Sequence, residues 1–165
     1  VVLFYSYTKR FTALCHLVLG LGLSLAPIGA YLSVTGVFDV LPILFSLLVL
    51  TWVSGFDIIY ALQDESFDRS QNFYSIPAML GTKNALMVSR FLHIGSGVLV
   101  LLAGIYGHFN FLYWIGAVVY ISMLIYQHRL VKPSDLSRVN IAFINTNSIA
   151  SICFAIFTIL ALIFK

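Results

Sequence analysis

Six acidic residues occur in the 165-residue chain, and four of them fall within twelve positions: Asp57, Asp64, Glu65 and Asp68. The stretch reads Asp57-Ile-Ile-Tyr60-Ala-Leu-Gln63-Asp64-Glu-Ser-Phe-Asp68-Arg69 and closes a long apolar run. On a helix, offsets of 3, 4, 7 and 11 return to one face, so Asp57, Tyr60, Asp64 and Asp68 are expected to form a stripe. Like charges at that spacing repel, and a carboxylate inside an apolar segment is expensive. A divalent cation is the natural compensation. Mg²⁺ suits the donor set, because it takes one or two carboxylates and completes its shell with water and phosphate oxygens. The competing reading keeps Asp64, Glu65 and Asp68 as solvated acids at a helix end; Asp57, seven residues further in, is harder to explain that way.

A second group, Tyr5-Ser-Tyr-Thr-Lys9-Arg10, sets adjacent cations before another apolar run. Such a pair can anchor a helix at lipid head groups. It can also clamp a diphosphate, with lysine as a point charge and arginine as a bidentate fork. Between Glu65 and Thr82 lies a long connection containing Ser75-Ile-Pro77. Loops of this length are functional or disordered, and Phe67, Phe73 and Tyr74 argue against disorder. Residues 63–84 are therefore expected to form a lid loop over the charged site.

The elements that position these groups are spanning helices. Hydrophobic residues make up 61% of the chain and charged residues 9%, and mean hydropathy is +1.00. A soluble domain of this size could not bury so much apolar surface, so lipid is the solvent. About 20 apolar residues cross a bilayer, and five segments qualify: Ala13–Val34, Leu41–Leu62, Leu86–Tyr106, Phe111–Tyr126 and Ile141–Phe164. The fourth is short and is expected to tilt or extend into its flanks. Pro27 is expected to kink the first. Small residues at Gly20/Ser24, Ala26/Ala30 and Ala103/Gly107 permit close helix approach. Cys15 and Cys153 fit no metal or redox spacing and read as packing residues.

With the spans alternating, Lys9, Arg10, Arg69, Lys83, Arg90, Arg129, Lys132 and Arg138 share one face and Lys165 alone takes the other. That bias marks the crowded face as cytoplasmic and explains the net charge of +3 without nucleic acid. His16 and His93, without partners at ligand spacing, read as packing or backbone-bonded groups. Asn140, Asn145 and Asn147 read as interhelical hydrogen bonders.

Taken together, Asp57-x-x-Tyr60-x-x-x-Asp64-x-x-x-Asp68-Arg69 followed by Ser75-Ile-Pro77 resembles the second aspartate-rich motif of the UbiA superfamily of intramembrane prenyltransferases. Tyr5-x-x-x-Lys9-Arg10-Phe-Thr resembles that family's Tyr-x-x-x-Lys element, in matching order and separation. The resemblance is nearest to the 4-hydroxybenzoate polyprenyltransferase branch, with its relatives in menaquinone pathways, and runs over essentially the whole chain.

It implies the C-terminal part of a nine-helix fold and transfer of a polyprenyl group from polyprenyl diphosphate to an aromatic acceptor. Asp64 and Asp68 would hold one Mg²⁺, Tyr5, Lys9 and Arg10 would bind the diphosphate, and Asp57 and Tyr60 would complete the site. Two departures stand out. The family's first motif, N-D-x-x-D-x-x-x-D, is absent, and Asn72 and Tyr74 replace an expected Gly and His. Residues 1–165 are thus expected to be one transmembrane domain, an N-terminally truncated fragment of a bacterial inner-membrane protein. Its partners would be the bilayer, the two substrates and the missing N-terminal half, without which it is expected not to catalyse transfer. The alternatives are a non-catalytic scaffold or lipid-binding protein, or a small transporter using Asp57; the absence of inverted repeats speaks against transport.

Overall fold

Residues 5–164 are described by a computed structural model, with side chains from Tyr7 onward. Residues 1–4, the Tyr5 side chain expected at the diphosphate, and Lys165 lie outside the described residues. A short α1 (Tyr5–Thr8) precedes α2 (Cys15–Thr35) and α3 (Val40–Ala61). A 3₁₀ turn (Leu62–Asp64) and α4 (Glu65–Ser70) lead to α5 (Ile76–Tyr106) and α6 (Phe111–Leu130). A π turn (Ile141–Asn145) then opens α7 (Thr146–Ile163). The architecture is an all-α bundle with, among the described residues, five helices long and apolar enough to cross a membrane.

Three of the helix starts are capped by their own side chains. Asp39 accepts from the Leu41 amide at 3.0 Å, Ser75 from the Ala78 amide at 3.2 Å and Asn110 from the Leu112 amide at 3.0 Å. Each satisfies an amide that a helix start leaves without a backbone partner. Pro42 and Pro77 sit in first turns, where a missing N–H costs nothing. Pro27 lies within α2, and the helix runs past it to Thr35 without a break in assignment, so the expected kink does not divide the span.

α3 is the central element, packed between α2 and α5. Gly20 of α2 meets Ser54 and the Leu50 carbonyl of α3 so closely that a Cβ there would collide with them. Gly55 of α3 is equally close to the His93 ring of α5. Hydroxyls seal these contacts: Ser54 donates to the His16 carbonyl at 3.1 Å and Ser89 to the Gly55 carbonyl at 2.7 Å. Further along, Tyr113, Tyr120 and Phe154 join α6 and α7 to Leu48 and Val100 in an apolar cluster. Gly104 packs against Tyr113 and Trp114 so closely that a Cβ there would collide with both rings.

Two elements differ from the sequence expectation. The connection 63–84 is not an irregular loop: α4 occupies its first part, and α5 begins at Ile76, ten residues before the expected span. Ser75-Ile-Pro77 is the start of that helix, with Ser75 as cap. Gly81 interrupts it at φ 76°, ψ 161°, a conformation open essentially to glycine alone. The bend sets Thr82 to donate to Glu65 at 2.7 Å, while Glu65 also pairs with Arg69 at 3.0 Å. Asn72 takes the left-handed φ of 54° that an asparagine in place of glycine can supply. The second difference is in the fifth span, which opens with the π turn. The Ala142 carbonyl there accepts hydrogen bonds from Gln127, at 3.0 Å, and from Thr146. α6 runs four residues past Tyr126, using its flank as expected of a short span. In the connection beyond it, the Ser137 hydroxyl, and after it the Ser137 amide, hold the exposed Asp135 carboxyl below the usual carboxylate range.

Candidate functional site

Where α2 begins and α3 ends, a cavity of about 290 Å³ is lined by Lys9, Cys15, His16, Asp57, Tyr60 and Asp64. The expected stripe is present in part. Asp57, Tyr60 and Asp64 share the cavity wall, but Asp68 does not. The cause is the 3₁₀ turn after Ala61. Each residue there advances about 120° instead of 100°, so three such residues rotate α4 by about 60° from the helical projection.

Each inner carboxylate has a protein partner. Asp57 Oδ2 lies 2.6 Å from Nδ1 of His16, whose side chain is buried. The amide of Ile76, in the first turn of α5, donates to His16 Nε2 at 3.4 Å. Nε2 is therefore an acceptor, which makes Nδ1–H the donor to Asp57. One imidazole thus joins α2 to α3 and α5. Asp68, 2% exposed, takes Lys9 Nζ at 3.3 and 3.4 Å on its two oxygens. Compensation of the acids comes from His16 and Lys9, where the sequence suggested a cation alone.

Asp64 is different: it is exposed, it lines the cavity, and among the described residues its side chain has no partner. Among the described residues no group of three or more His, Cys, Asp and Glu side chains is arranged to hold a metal ion. The donors nonetheless suit Mg²⁺ in kind. Asp64 offers free hard oxygens to the cavity, and Asp68, four residues on, offers carboxylate oxygens shared with Lys9.

Of the two adjacent cations, Lys9 lines the cavity, whereas Arg10 lies over the Tyr7 ring with Cζ 5.3 Å from its centroid. The 73–75 segment is pinned beside them. The Tyr74 amide donates to the Lys9 carbonyl at 2.6 Å, and the Phe73 amide to the Asp68 carbonyl at 2.8 Å.

On the same side of α3 an apolar groove of about 760 Å³ runs away from the cavity between α2, α3 and α7. Leu23, Pro27, Trp52, Phe56, Phe143 and Asn147 are among its walls. Tyr60 and Phe143 stand at the junction with ring centroids 4.3 Å apart, and Phe56 meets Phe143 at 5.5 Å. The π turn puts Phe143 there, while Asn140 at its edge accepts from Gln63 at 3.1 Å. Asn147 lines the groove with both amide atoms buried and unpaired among the described residues.

Sequence reasoning missed His16 and Phe143. For His16 a signal existed: in an α2–α3 hairpin, His16 and Asp57 are 19 and 17 residues from the facing helix ends, hence at similar depth. An acid inside a span needs a partner at its own depth. For Phe143 there was none, since π turns have no local sequence signature.

Comparison with known proteins agrees with this fold. The profile of the UbiA prenyltransferase family matches residues 1–162. A 4-hydroxybenzoate octaprenyltransferase of Francisella tularensis subsp. novicida (strain U112) is 28% identical over 152 residues, 91% of this chain and 52% of that protein. One of the same name from Tolumonas auensis is 28% identical over 151 residues, covering 92% and 52%. The chain thus spans about half the length of the curated relatives it matches. Among solved structures, the apo structure of a UbiA homologue from Aeropyrum pernix K1 superposes with a TM-score of 0.85 at 28% identity, covering 97% of this chain and 60% of that one.

Proposed function

The chain belongs to the UbiA prenyltransferase family, and on that premise we propose that it forms one wall of a polyprenyl diphosphate site. In this reading it takes part in transferring the polyprenyl group to an electron-rich aromatic acceptor, 4-hydroxybenzoate being the one named for its relatives. One observation carries the reading. A polar cavity holding Lys9, Asp57 and Asp64 adjoins a long apolar groove, and Tyr60 and Phe143 stand where the two meet. An anionic head with an apolar tail divides in the same way. The tail enters a groove between helices without exposure to water, at little cost in free energy.

The residues take separate parts. Lys9 offers its ammonium to the diphosphate as a point charge. Asp64 would hold Mg²⁺ from the cavity wall, with Asp68, one turn on and paired with Lys9, as the second carboxylate. When bound, that ion neutralises charge developing on the departing diphosphate and so assists cleavage of the allylic C–O bond. Tyr60, Phe143 and Phe56 turn aromatic surface toward the carbon that becomes cationic, which π faces stabilise. Asp57, with Oδ2 held by His16, keeps Oδ1 for the acceptor's phenolic hydroxyl. Accepting that hydrogen bond pushes electron density into the ring, whose carbon forms the new C–C bond to the prenyl group and then loses its proton, so that aromaticity is restored. α4 and the first turns of α5 act as the lid over this end.

A second metal-binding aspartate set is proposed to come from residues preceding this chain, as the family's first motif does. The positive-inside bias supports a cytoplasmic location for the cavity, and the bacterial relatives support an inner-membrane protein.

Reconstituted full-length protein, supplied with a polyprenyl diphosphate and 4-hydroxybenzoate, is expected to transfer the chain in Mg²⁺ and not in EDTA. Asp64→Asn is expected to lower transfer by about 10³-fold, the scale of removing a group that stabilises transition-state charge, while still inserting. Full activity in that variant would remove Asp64 from the site. Transfer only to a dihydroxynaphthoate would reassign the acceptor.

A further inference from the structure

On the other flank of the bundle, away from the aspartates, α5 and α6 diverge around a second groove of about 530 Å³. Its walls run from Arg90 and Arg129 down through Ile94, Val98, Ile121 and Ile125. No acidic residue lines it, and among the described residues neither arginine has an ion-pair partner. Two cations at the mouth of an otherwise apolar groove need an anion that carries apolar chains.

Depth sharpens the point. Arg90 stands 16 residues before the end of α5, and Arg129 stands 18 residues after the start of α6. At 1.5 Å per residue both lie about 24–27 Å from the far ends of their helices. A hydrocarbon layer is about 30 Å thick, so both guanidinium groups reach the boundary where lipid phosphates sit.

A third polar group is fixed at the same mouth. His93 Nε2 lies 3.3 Å from the Trp52 carbonyl, which can only accept, so Nε2 carries the proton and Nδ1 is the acceptor. His128 Nε2–H must then donate to His93 Nδ1, 2.9 Å away. That chain, anchored on α3, holds the half-buried His128 at the groove and leaves its Nδ1 unpaired among the described residues. Below, Gly97 leaves space: a Cβ there would meet only Ile121, at 3.9 Å.

We infer that the α5–α6 groove binds an anionic phospholipid, its phosphate held by Arg90 and Arg129 and an acyl chain lying along Ile94, Val98, Ile121 and Ile125. The site is independent of the aspartate cavity and does not rest on the prenyl-transfer reading. It belongs to a resident lipid whose charge, rather than Mg²⁺, secures it.

Native mass spectrometry of the full-length protein, released from nanodiscs of phosphatidylglycerol or of phosphatidylcholine, tests this directly. Wild-type protein is expected to retain phosphatidylglycerol about 30-fold more tightly, on the scale of two basic residues at an anionic surface. R90Q/R129Q is expected to lose that preference. G97L, which fills the groove and keeps both arginines, is expected to shed either lipid. Equal retention of the two lipids by wild type, or unchanged preference in R90Q/R129Q, would overturn the inference. So would displacement of the lipid by millimolar inorganic phosphate with G97L indifferent, which assigns the arginines to free phosphate. A dimer mass in place of the lipid adduct would overturn it by assigning the groove to a second copy. No adduct at all would overturn it too, because the protein's own residues would then cover the groove.

Discussion

α3 separates two compartments, each holding a buried histidine from a neighbouring helix, and they are charged in opposite senses. On the α2 side, His16 meets Asp57, and Lys9 meets Asp68. On the α5 side, His93 meets His128, with Arg90 and Arg129 beside them. The backbone of α3 serves both: Ser54 bonds the His16 carbonyl, and the Trp52 carbonyl receives His93. What differs is whether an acid is present. With acids paired and Asp64 left over, the first compartment suits a cation and, through it, a diphosphate. Without acids, the second suits an anion directly. The same residue type on two faces of one helix thus does different work, decided by the charge beside it.

The largest effect on this comparison is expected from His16→Leu. It leaves the Asp57 carboxylate unpaired within a span, which costs about 3 kcal/mol. Unfolding of the purified protein in detergent measures it. Adding Asp57→Leu is expected to restore most of the loss, because an apolar pair replaces a hydrogen-bonded polar pair of similar volume at little net cost. Wild-type stability in the single variant would mean that Asp57 does not depend on His16.

Lys9→Gln comes next. Asp68 is nearly fully buried, but Lys9 is a third exposed and its contacts are long, so about 2 kcal/mol is expected from the same unfolding measurement. Tyr120→Phe probes the apolar cluster that both compartments lean on. Its hydroxyl lies 2.6 Å from Ser96, which itself donates to the Leu48 carbonyl at 3.3 Å. Loss of about 1 kcal/mol is expected, with lipid preference and prenyl diphosphate binding unchanged. A change in either would show that the two compartments communicate through α6.

The smallest effect concerns the cap over the acidic compartment. Asn72→Ala is expected to lose about 1 kcal/mol, because alanine resists the left-handed backbone, while Asn72→Gly should lose nothing. Equal stability of all three would mean that position 72 abandons φ 54° when substituted.

Much of this architecture is legible in the sequence. Five spans follow from hydropathy, and the charged end follows from loop counting. The left-handed φ of Asn72 is compatible with its sequence, since asparagine tolerates that conformation where glycine is expected. The first ten residues of α5 are not legible, because Pro77, Gly81 and the polar run Thr82-Lys83-Asn84 dilute the apolar signal; the Ser75 cap declares the helix only once its partner amide is seen. Helical spacing correctly groups Asp57, Tyr60 and Asp64. It misplaces Asp68, because nothing local announces a 3₁₀ turn after Ala61. Pairing of His16 with Asp57 and of His93 with His128 depends on helices meeting at equal depth, a property of the bundle rather than of either segment.

The most direct test of the division between the compartments is equilibrium binding of a non-reactive polyprenyl diphosphate analogue to the full-length protein. Binding would be measured with Mg²⁺ and with EDTA, in wild type, D64N and R90Q/R129Q. The expected result is Mg²⁺-dependent binding that D64N weakens by tenfold or more and that R90Q/R129Q leaves intact. Binding that ignores Mg²⁺ and D64N but is lost in R90Q/R129Q would put the diphosphate in the α5–α6 groove and contradict the assignment of both sites.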